Sequence, residues 1–340
     1  MSAKLLRLAA PAAAAIVLLS ASACSSGASS SDKKPDSAPA AAGSTVVHVG
    51  AVSNGAANPV DIMVAQQDAI RAELPAAIRD SGTLKIVVGD LPAGTPPLDF
   101  IGSDQQTLTG SEPDLARLVA GVLGLKPTFD HATWDNMFVG LDSGKEAIAF
   151  ANVTDTEKRK EKYDFASYRQ DNLGFEALKS TTWEFNGDYH VLAGKTIAVG
   201  SGTNQEKILL EWQTKLRAEG QDFSVKYYQD ANSTLLALTS GKIDVYLGPN
   251  PGVAYQVTQT AKSPTPTRIA GEYSGAGATL QGLIAATTKK DSGLAKPVAD
   301  AINVLISNGD YEKWLTAWNL TTEAVPTSQV NPPGLPLTNS

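Results

Sequence analysis

The sequence predicts an α/β protein built as two similar lobes, and three observations carry that expectation. The stretch "GTLKIVVG" (Gly82 to Gly89) is echoed by "GKTIAVG" (Gly194 to Gly200), and "LDSGK" (Leu141 to Lys145) by "LTSGK" (Leu238 to Lys242), in the same order along the chain. Each SGK follows a helical segment and precedes a short apolar run, Ala147 to Ala151 in one case and Ile243 to Leu247 in the other. Glycine suits the left-handed residue that closes a helix, and an unbroken apolar run suits a strand buried on both faces. The length, 340 residues with 42% hydrophobic and 19% charged content, is ordinary globular composition and enough chain for two domains.

Ahead of the lobes, residues 1–23 read as an export signal. Lys4 and Arg7 form a weakly basic start, Ala9 to Leu19 an apolar stretch, and Ser20-Ala21-Ser22-Ala23 a small-residue cleavage region. The next residue, Cys24, is the only cysteine and has no internal disulfide partner. The arrangement resembles a bacterial lipoprotein signal, although Ala21 stands where that pattern prefers leucine. The resemblance implies a lipid on Cys24 and a protein anchored at the extracellular face of the cell membrane; plain secretion with a free thiol is the alternative. "SSGASSSDKKPDSAPAAAGS" has no aromatic residue and no apolar periodicity, so 24–64 is expected to be anchor and flexible tether. Removing Met1 to Ala23 takes the formal net charge from -7 to -7 - 2 = -9. The acidic balance, 35 Asp and Glu against 28 Lys and Arg, argues against a nucleic-acid partner.

The first part of lobe 1 is expected over 65–182. "AQQDAIRAELPAAIRDSG" reads as helix ended by Pro75 and Gly82, followed by a short strand, Leu84 to Val88. Helices follow at "EPDLARLVAGVLG" from Glu112 and "WDNMFVGLDSG" from Trp134. Lobe 2 is expected over 183–275, with a helix at "NQEKILLEWQTKLRAEG" from Asn204. The chain then returns to lobe 1 over 276–322 through "GLAKPVADAINVLISNG" and "DYEKWLTAWNL", and the Pro-rich 323–340 is expected to be a loose tail.

Several catalytic signatures are excluded by spacing. A phosphate-binding loop needs a glycine five positions before Gly194, where Tyr189 stands, and no Gly-x-Ser-x-Gly elbow is present. His48, His131 and His190 are far apart and have no second ligand at zinc spacing, so no metal and no cofactor is expected.

One stretch remains, "NVTDTEKRKEKYDF" (Asn152 to Phe165), with four cations in five positions: Lys158, Arg159, Lys160 and Lys162. Most charge runs are solvated helix faces. Thr154 with Glu157 fits a capping box, predicting a helix from Asp155 that carries the run in its first two turns. Cations near a helix N-terminus are slightly unfavourable, so at least one calls for another reason. The segment also leaves the C-terminal end of a strand, where open α/β sheets bind ligands.

With these residues in place, the chain resembles the extracellular solute-binding proteins, family 3, the substrate-binding lipoproteins of polar amino-acid ABC transporters. The resemblance runs from about Ser81 to Leu320 through "SGTLKIVVG", "PPLDF", "GSEPDLARLVAGVLG", "TDTEKRKEKYDFASY", "GSGTNQEK", "SGKIDVYLG" and "NGDYEKWLTAWNL". It implies a two-lobed type II periplasmic-binding-protein-like fold, each lobe a mixed sheet flanked by helices. The hinge would have two segments, near Leu178 to Ala193 and Arg268 to Gly282.

By that resemblance Arg159 grips a ligand carboxylate, for which a planar bidentate guanidinium is well suited, and Lys158, Lys160 and Lys162 are ordinary solvated charges. Gly202 and Thr203 open a helix whose N–H groups suit the same anion, though a Gly-Thr before a helix is equally an N-cap. Trp134 stands where the family places a ring against the ligand, with core packing as the alternative. Asn152 and Thr154 lie where the chain edge supplies polar contacts. Thr95 replaces a family aromatic. The acid that holds the amine of amino-acid ligands is replaced by Pro249, with Asn250 beside it. The ligand therefore either lacks an ordinary α-ammonium or has it held by an acid elsewhere.

The expected protein is a non-enzymatic, monomeric binding component that hands a small carboxylate-bearing solute to a membrane permease of an ABC transporter. A ligand-occupancy sensor for a membrane kinase and an enzyme of the same fold, a dehydratase or lyase, are the alternatives.

Overall fold

One strand of 16 residues, Tyr163–Leu178, is shared by both lobes. The computed structural model describes residues 43–89, 94–228 and 230–338. In chain order the strands are β1 (Ser44–Val49), β2 (Val60–Ala65), β3 (Thr83–Val88), β4 (Phe100–Ile101), β5 (Leu108–Thr109), β6 (Lys126–His131), β7 (Ile148–Ala149), β8 (Tyr163–Leu178), β9 (Thr196–Val199), β10 (Ser224–Tyr227), β11 (Val245–Pro249), β12 (Thr267–Ser274) and β13 (Gly282–Lys289). The helices are α1 (Asp68–Ala72), α2 (Ala76–Ser81), α3 (Ser111–Val122), α4 (Trp134–Ser143), α5 (Asn204–Ala218), α6 (Ala231–Thr239), α7 (Asn250–Thr260), α8 (Ala295–Asn308) and α9 (Asp310–Ala317).

In lobe 1, β13 pairs antiparallel with β7 and with Tyr163 to Asp171 of β8, while β3 pairs parallel with β6 and β7. In lobe 2, β9 pairs parallel with β10 and β11, and the other half of β8 pairs antiparallel with β11 and β12. Both sheets are therefore mixed. The partners of β8 change between Asp171, opposite Gly282, and Leu173, opposite Pro249. The first crossing is thus upstream of the expected Leu178 to Ala193, and lobe 2 begins within β8 rather than at residue 183. A continuous strand keeps its backbone hydrogen-bonded through the crossing, which a loop at that depth would not.

The echoed motifs occupy equivalent places. Gly144 (φ +75°) closes α4 and Gly241 (φ +73°) follows α6, each turning the chain toward a buried strand. The lobe 1 core is built on α3, where every residue except Arg117 is buried, and on α8 and α9 with Trp314 and Trp318. In lobe 2, Ile208, Trp212 and Leu216 of α5 recur every fourth residue and pack on Leu173, Phe175 and Ile197.

Two expectations for the chain ends are overturned. The export signal 1–23 and Cys24 lie outside the described residues, but the tether expected over 24–64 gives way to structure from Ser44. β1 and β2 form an antiparallel hairpin whose Val47, Val49, Ile62 and Val64 are buried. Alternating residues of "STVVHV" and "VDIMVA" supply that face, and each burial contributes about 1.5–3 kcal/mol.

The loose tail expected over 323–340 is instead packed along both lobes. Glu323 and Val325 are buried in lobe 1, Ser167 donates from its backbone N–H to Gln329 O at 3.0 Å, and Asn331 to Phe165 O at 3.0 Å. Further on, Glu157 donates to Leu335 O at 3.0 Å, and Leu335, 1% exposed, joins the lobe 2 core. The ammonium of Lys207 on α5 donates to Pro336 O. Prolines have no N–H, so an extended Pro-rich segment packs on the surface with few donors left to satisfy.

Candidate ligand-binding site

The site forms where the loop after β7 meets the loop after β9. Beyond β7 the chain turns at Asn152 (φ +51°) and runs through Thr154 and Thr156 to a single 3-10 turn, Arg159–Glu161. The longer helix expected from Asp155 does not form. The Thr154 hydroxyl donates to Asp171 Oδ2 at 2.8 Å, and Glu157 accepts from Lys160 Nζ at 2.8 Å and from Gly334 N at 2.9 Å. Neither half of the capping box is available, and Thr156 Oγ1 accepts from Arg159 N at 3.1 Å instead.

That turn sorts the cationic run. Lys158 and Lys162 project into solvent with side chains 71% and 68% exposed. Lys160 does not: its side chain is 16% exposed and lies 3.3 Å from Asp155 and 2.8 Å from Glu157. Burial pushes Asp155 up to about 7, opposed by Lys160.

Arg159 faces the seam between the lobes. Its Nη1 donates to Thr154 O at 2.9 Å, and its Nη2 reaches across to Gly202 O at 3.3 Å. The guanidinium lies over two rings of lobe 1, 5.2 Å from the Trp134 centroid and 5.6 Å from that of Phe138. Burial lowers its pKa to about 10, opposed by Asp171 and Asp155, so it is cationic at neutral pH.

On the lobe 2 side, Gly202 has φ +73°, and a Cβ there would lie 3.4 Å from Trp134 Nε1. Trp134 Nε1 also donates to Gly202 O at 3.3 Å, so ring and guanidinium share one carbonyl. Thr203 is the N-cap of α5: Oγ1 accepts from Glu206 N at 3.2 Å and donates to Gly200 O at 2.7 Å. The start of α5 thus aims its positive dipole end toward the Arg159 side of the seam. Beside them a groove of about 800 Å³ is lined by Arg159, Thr203, Lys207, Leu210, Leu335 and Leu337, so the C-terminal segment forms part of the site's wall.

Arg159, Trp134, Gly202 and Thr203 therefore come together. The side chains of Asn152, Thr154 and Asn250 do not join them. Asn152 Oδ1 accepts from Arg169 Nη2, and the Thr154 hydroxyl is committed to Asp171. Asn250 opens α7, with its Oδ1 buried against Gly174. Cys24 lies outside the described residues.

Residues that sequence reasoning did not single out support the site from below. Asp171 Oδ2 accepts from Thr154 of lobe 1 and, at 3.0 Å, from Asn204 Nδ2 of lobe 2, tying the two lobes to the crossing strand. Burial raises its pKa, opposed by the Thr154 hydrogen bond. Arg169, 1% exposed, is held by Glu112 at 3.1 Å and by Glu323 of the C-terminal segment. Burial pushes Glu323 up to about 7 against the attraction of Arg169. Phe138 follows Trp134 by four residues, a spacing that places both on one helix face. Arg169 and Asp171, two charges within the strand period of β8, were the visible signal for the network.

Two lobes of mixed sheet, joined by the crossing strand β8 and by the return segment 275–281 and meeting at a guanidinium and a helix N-terminus, define a type II binding-protein fold. The chain belongs to the bacterial extracellular solute-binding proteins, family 3, whose sequence profile matches residues 86–321. It is 32% identical over 248 residues to the L-cystine-binding protein TcyJ of Escherichia coli, covering 71% of this chain and 85% of that one. It is 26% identical over 253 residues to the arginine-binding protein ArgT of Corynebacterium glutamicum, covering 74% and 79%. Among solved structures, an ancestral arginine-binding protein bound to arginine superposes with a TM-score of 0.59 at 26% identity, covering 70% of this chain and 98% of that one.

Proposed function

We propose that this protein is the substrate-binding component of an ABC importer and captures a small carboxylate-bearing solute, a polar amino acid or amino-acid-like compound, by closure of its two lobes. The observation that carries this reading is the placement of Arg159 opposite the N-terminus of α5, 3.3 Å from Gly202 O across the seam. A ligand carboxylate there accepts two parallel hydrogen bonds from lobe 1 and a backbone N–H at the start of α5 from lobe 2, where Gly202 N already donates to the Glu206 carboxylate at 2.6 Å and Glu206 N to Thr203 Oγ1 at 3.2 Å. Because it touches both lobes only when they meet, its binding favours the closed form. Trp134 and Phe138 back the guanidinium and form an aromatic side to the site.

The binding names of the relatives support an amino-acid ligand, and the family supports a permease as partner. Lipidation of Cys24 would hold the monomeric protein at the extracellular face of the membrane. Binding is favoured over a dehydratase or lyase activity by how the raised carboxylates are engaged: Asp171 accepts from Thr154 and Asn204, Asp155 is covered by Gly334 and faces Lys160, Asp114 is paired with Arg117, Glu323 is paired with Arg169, and Glu176 is within lobe 2.

A thermal-shift screen against amino acids, amines, opines and small carboxylates tests the reading. A ligand at a hundred times its dissociation constant adds about 2.7 kcal/mol of stability. The expected result is a shift in the parent that Arg159→Ala loses; a shift of equal size in both proteins contradicts the assignment of Arg159.

A further inference from the structure

The segment after α9 touches both lobes, but it is held by them in different ways. On lobe 1 it is fastened along its backbone. Val325 N donates to the Tyr311 hydroxyl at 3.0 Å, and Ser328 donates to Asn303 Oδ1 at 2.8 Å and accepts from Asn303 Nδ2 at 3.0 Å. Val330 bridges Ala166 of β8 antiparallel, between the hydrogen bonds of Gln329 to Ser167 and of Asn331 to Phe165. Further on, Leu335 N donates to Asp155 O at 3.2 Å, and Leu335 O accepts from Glu157 N at 3.0 Å. The segment thereby clips the loop that carries Arg159. The fit is close, since a Cβ on Gly334 would lie 2.4 Å from Asp155 O.

On lobe 2 the same segment offers a side chain and a carbonyl. The Leu335 side chain joins the cluster of Leu173, Ile208 and Leu247, and Pro336 O accepts from the Lys207 ammonium on α5. Leu337 and Thr338 then line one groove with Leu210 and Thr214 of α5.

We propose that residues 334–338 are a latch, anchored to lobe 1 and closed on lobe 2 by Leu335, that biases the protein toward the form in which the lobes meet. The inference rests on the lobe-closure reading above and adds a part of the chain, distinct from the solute, that sets how readily the lobes open. The latch follows the residues matched by the family profile, 86–321, and so is a feature of this chain added to the shared scaffold.

The asymmetry of the contacts gives the latch its direction. Parting the lobes while the segment stays on lobe 1 leaves its backbone hydrogen bonds intact, but it withdraws Leu335, 1% exposed, from the lobe 2 core. Exposing a buried leucine to water is unfavourable, so the open form is disfavoured. A solute that binds across the seam meets a protein already biased toward closure, and its apparent affinity rises to the extent that the closed form is the more populated. Release then requires lifting Leu335 from lobe 2 as well as breaking the contacts of Arg159 and Trp134 with Gly202 O.

The test is a pulsed dipolar distance measurement on the full-length protein in a Cys24→Ser background. Spin labels are placed at Lys126→Cys on β6 of lobe 1 and at Ser224→Cys on β10 of lobe 2, both exposed positions. Open and closed forms appear as two distance populations, whose weights give the closing ratio. Leu335→Ala is expected to lower that ratio at least about tenfold, the low end of what burying a leucine contributes. Leu247→Ala controls for general loosening: it empties the same cluster from β11 and leaves the latch in place, so it should keep the parent's ratio. An unchanged ratio in Leu335→Ala overturns the proposal, as does an equal fall in Leu247→Ala. Arg159→Ala separates the two readings: if it opens the lobes while Leu335→Ala does not, the latch falls and closure stands. If neither variant opens them, the lobes do not part and both readings fall.

Discussion

Arg159 of lobe 1 donates from Nη2 to the carbonyl oxygen of Gly202 in lobe 2, 3.3 Å away, and the Trp134 indole donates to the same oxygen. The seam therefore closes on a glycine with φ +73°, a backbone conformation that costs an L-residue about 1–2 kcal/mol. Gly202→Ala is expected to lower stability by about that amount and, by straining the turn whose carbonyl accepts from both Arg159 and Trp134, to weaken closure. Chemical unfolding measures the first effect, and ligand affinity, lowered about tenfold, measures the second. An alanine variant with unchanged stability and affinity would show that the loop adapts freely.

The C-terminal segment is predicted to stabilise the whole molecule. Leu335 is 1% exposed in the lobe 2 core although its backbone pairs with the lobe 1 loop. Leu335→Ala should cost about 2–5 kcal/mol in urea unfolding. A chain ending at Glu323 also loses Val325 and the contacts to Phe165 and Ser167, and should be less stable than the point variant. Equal stability of the truncated and intact chains would return the segment to the loose tail that its composition suggests.

Stability should fall as pH rises toward neutrality. Glu176 is 0% exposed on β8, and burial pushes its pKa to about 7 from an ordinary value of 4.5. The folded protein then holds a proton that the unfolded chain has already released, so this group's contribution declines between about pH 4.5 and 7 and levels off above. Glu176→Gln removes the titration while keeping the shape. The variant is expected to exceed the parent by about 1–3 kcal/mol at pH 8, with the difference vanishing near pH 4.5, in denaturation curves taken across that range. A difference independent of pH would mean that Glu176 is not held protonated.

Much of the scaffold was legible in the chain because periodicity and glycine punctuation are local. The two SGK motifs marked helix ends that Gly144 and Gly241 close with positive φ, and Gly309 ends α8 in the same way. The hairpin of β1 and β2 was hidden by the Ala- and Ser-rich sequence before it, since composition was given more weight than the alternation of Val47, Val49, Ile62 and Val64. The C-terminal segment was misread for a related reason. Proline richness marks absence of helix and sheet, but Leu335 and Glu323 find partners more than a hundred residues away, which no local pattern records.

The site shows the same division. Arg159, Trp134, Gly202 and Thr203 lie in motifs whose backbone geometry is set nearby, and they meet. Asn152 and Thr154 belong to the same loop but were placed in the ligand's reach without knowledge of Arg169 and Asp171, which claim their side chains from the crossing strand. The capping box at Thr154 failed for that reason as well: a cap is available only if no tertiary partner takes the hydroxyl first.

The central claim is that a ligand carboxylate is gripped by Arg159. It is tested most directly by calorimetric titration of the parent and Arg159→Ala with the best amino-acid ligand and with the carboxamide in which that carboxylate is neutral. The account predicts that the parent prefers the carboxylate by at least about 2 kcal/mol, roughly thirtyfold in affinity, and that Arg159→Ala discriminates between the two forms hardly at all. A preference of the same size in both proteins would contradict it and place the carboxylate elsewhere in the cleft.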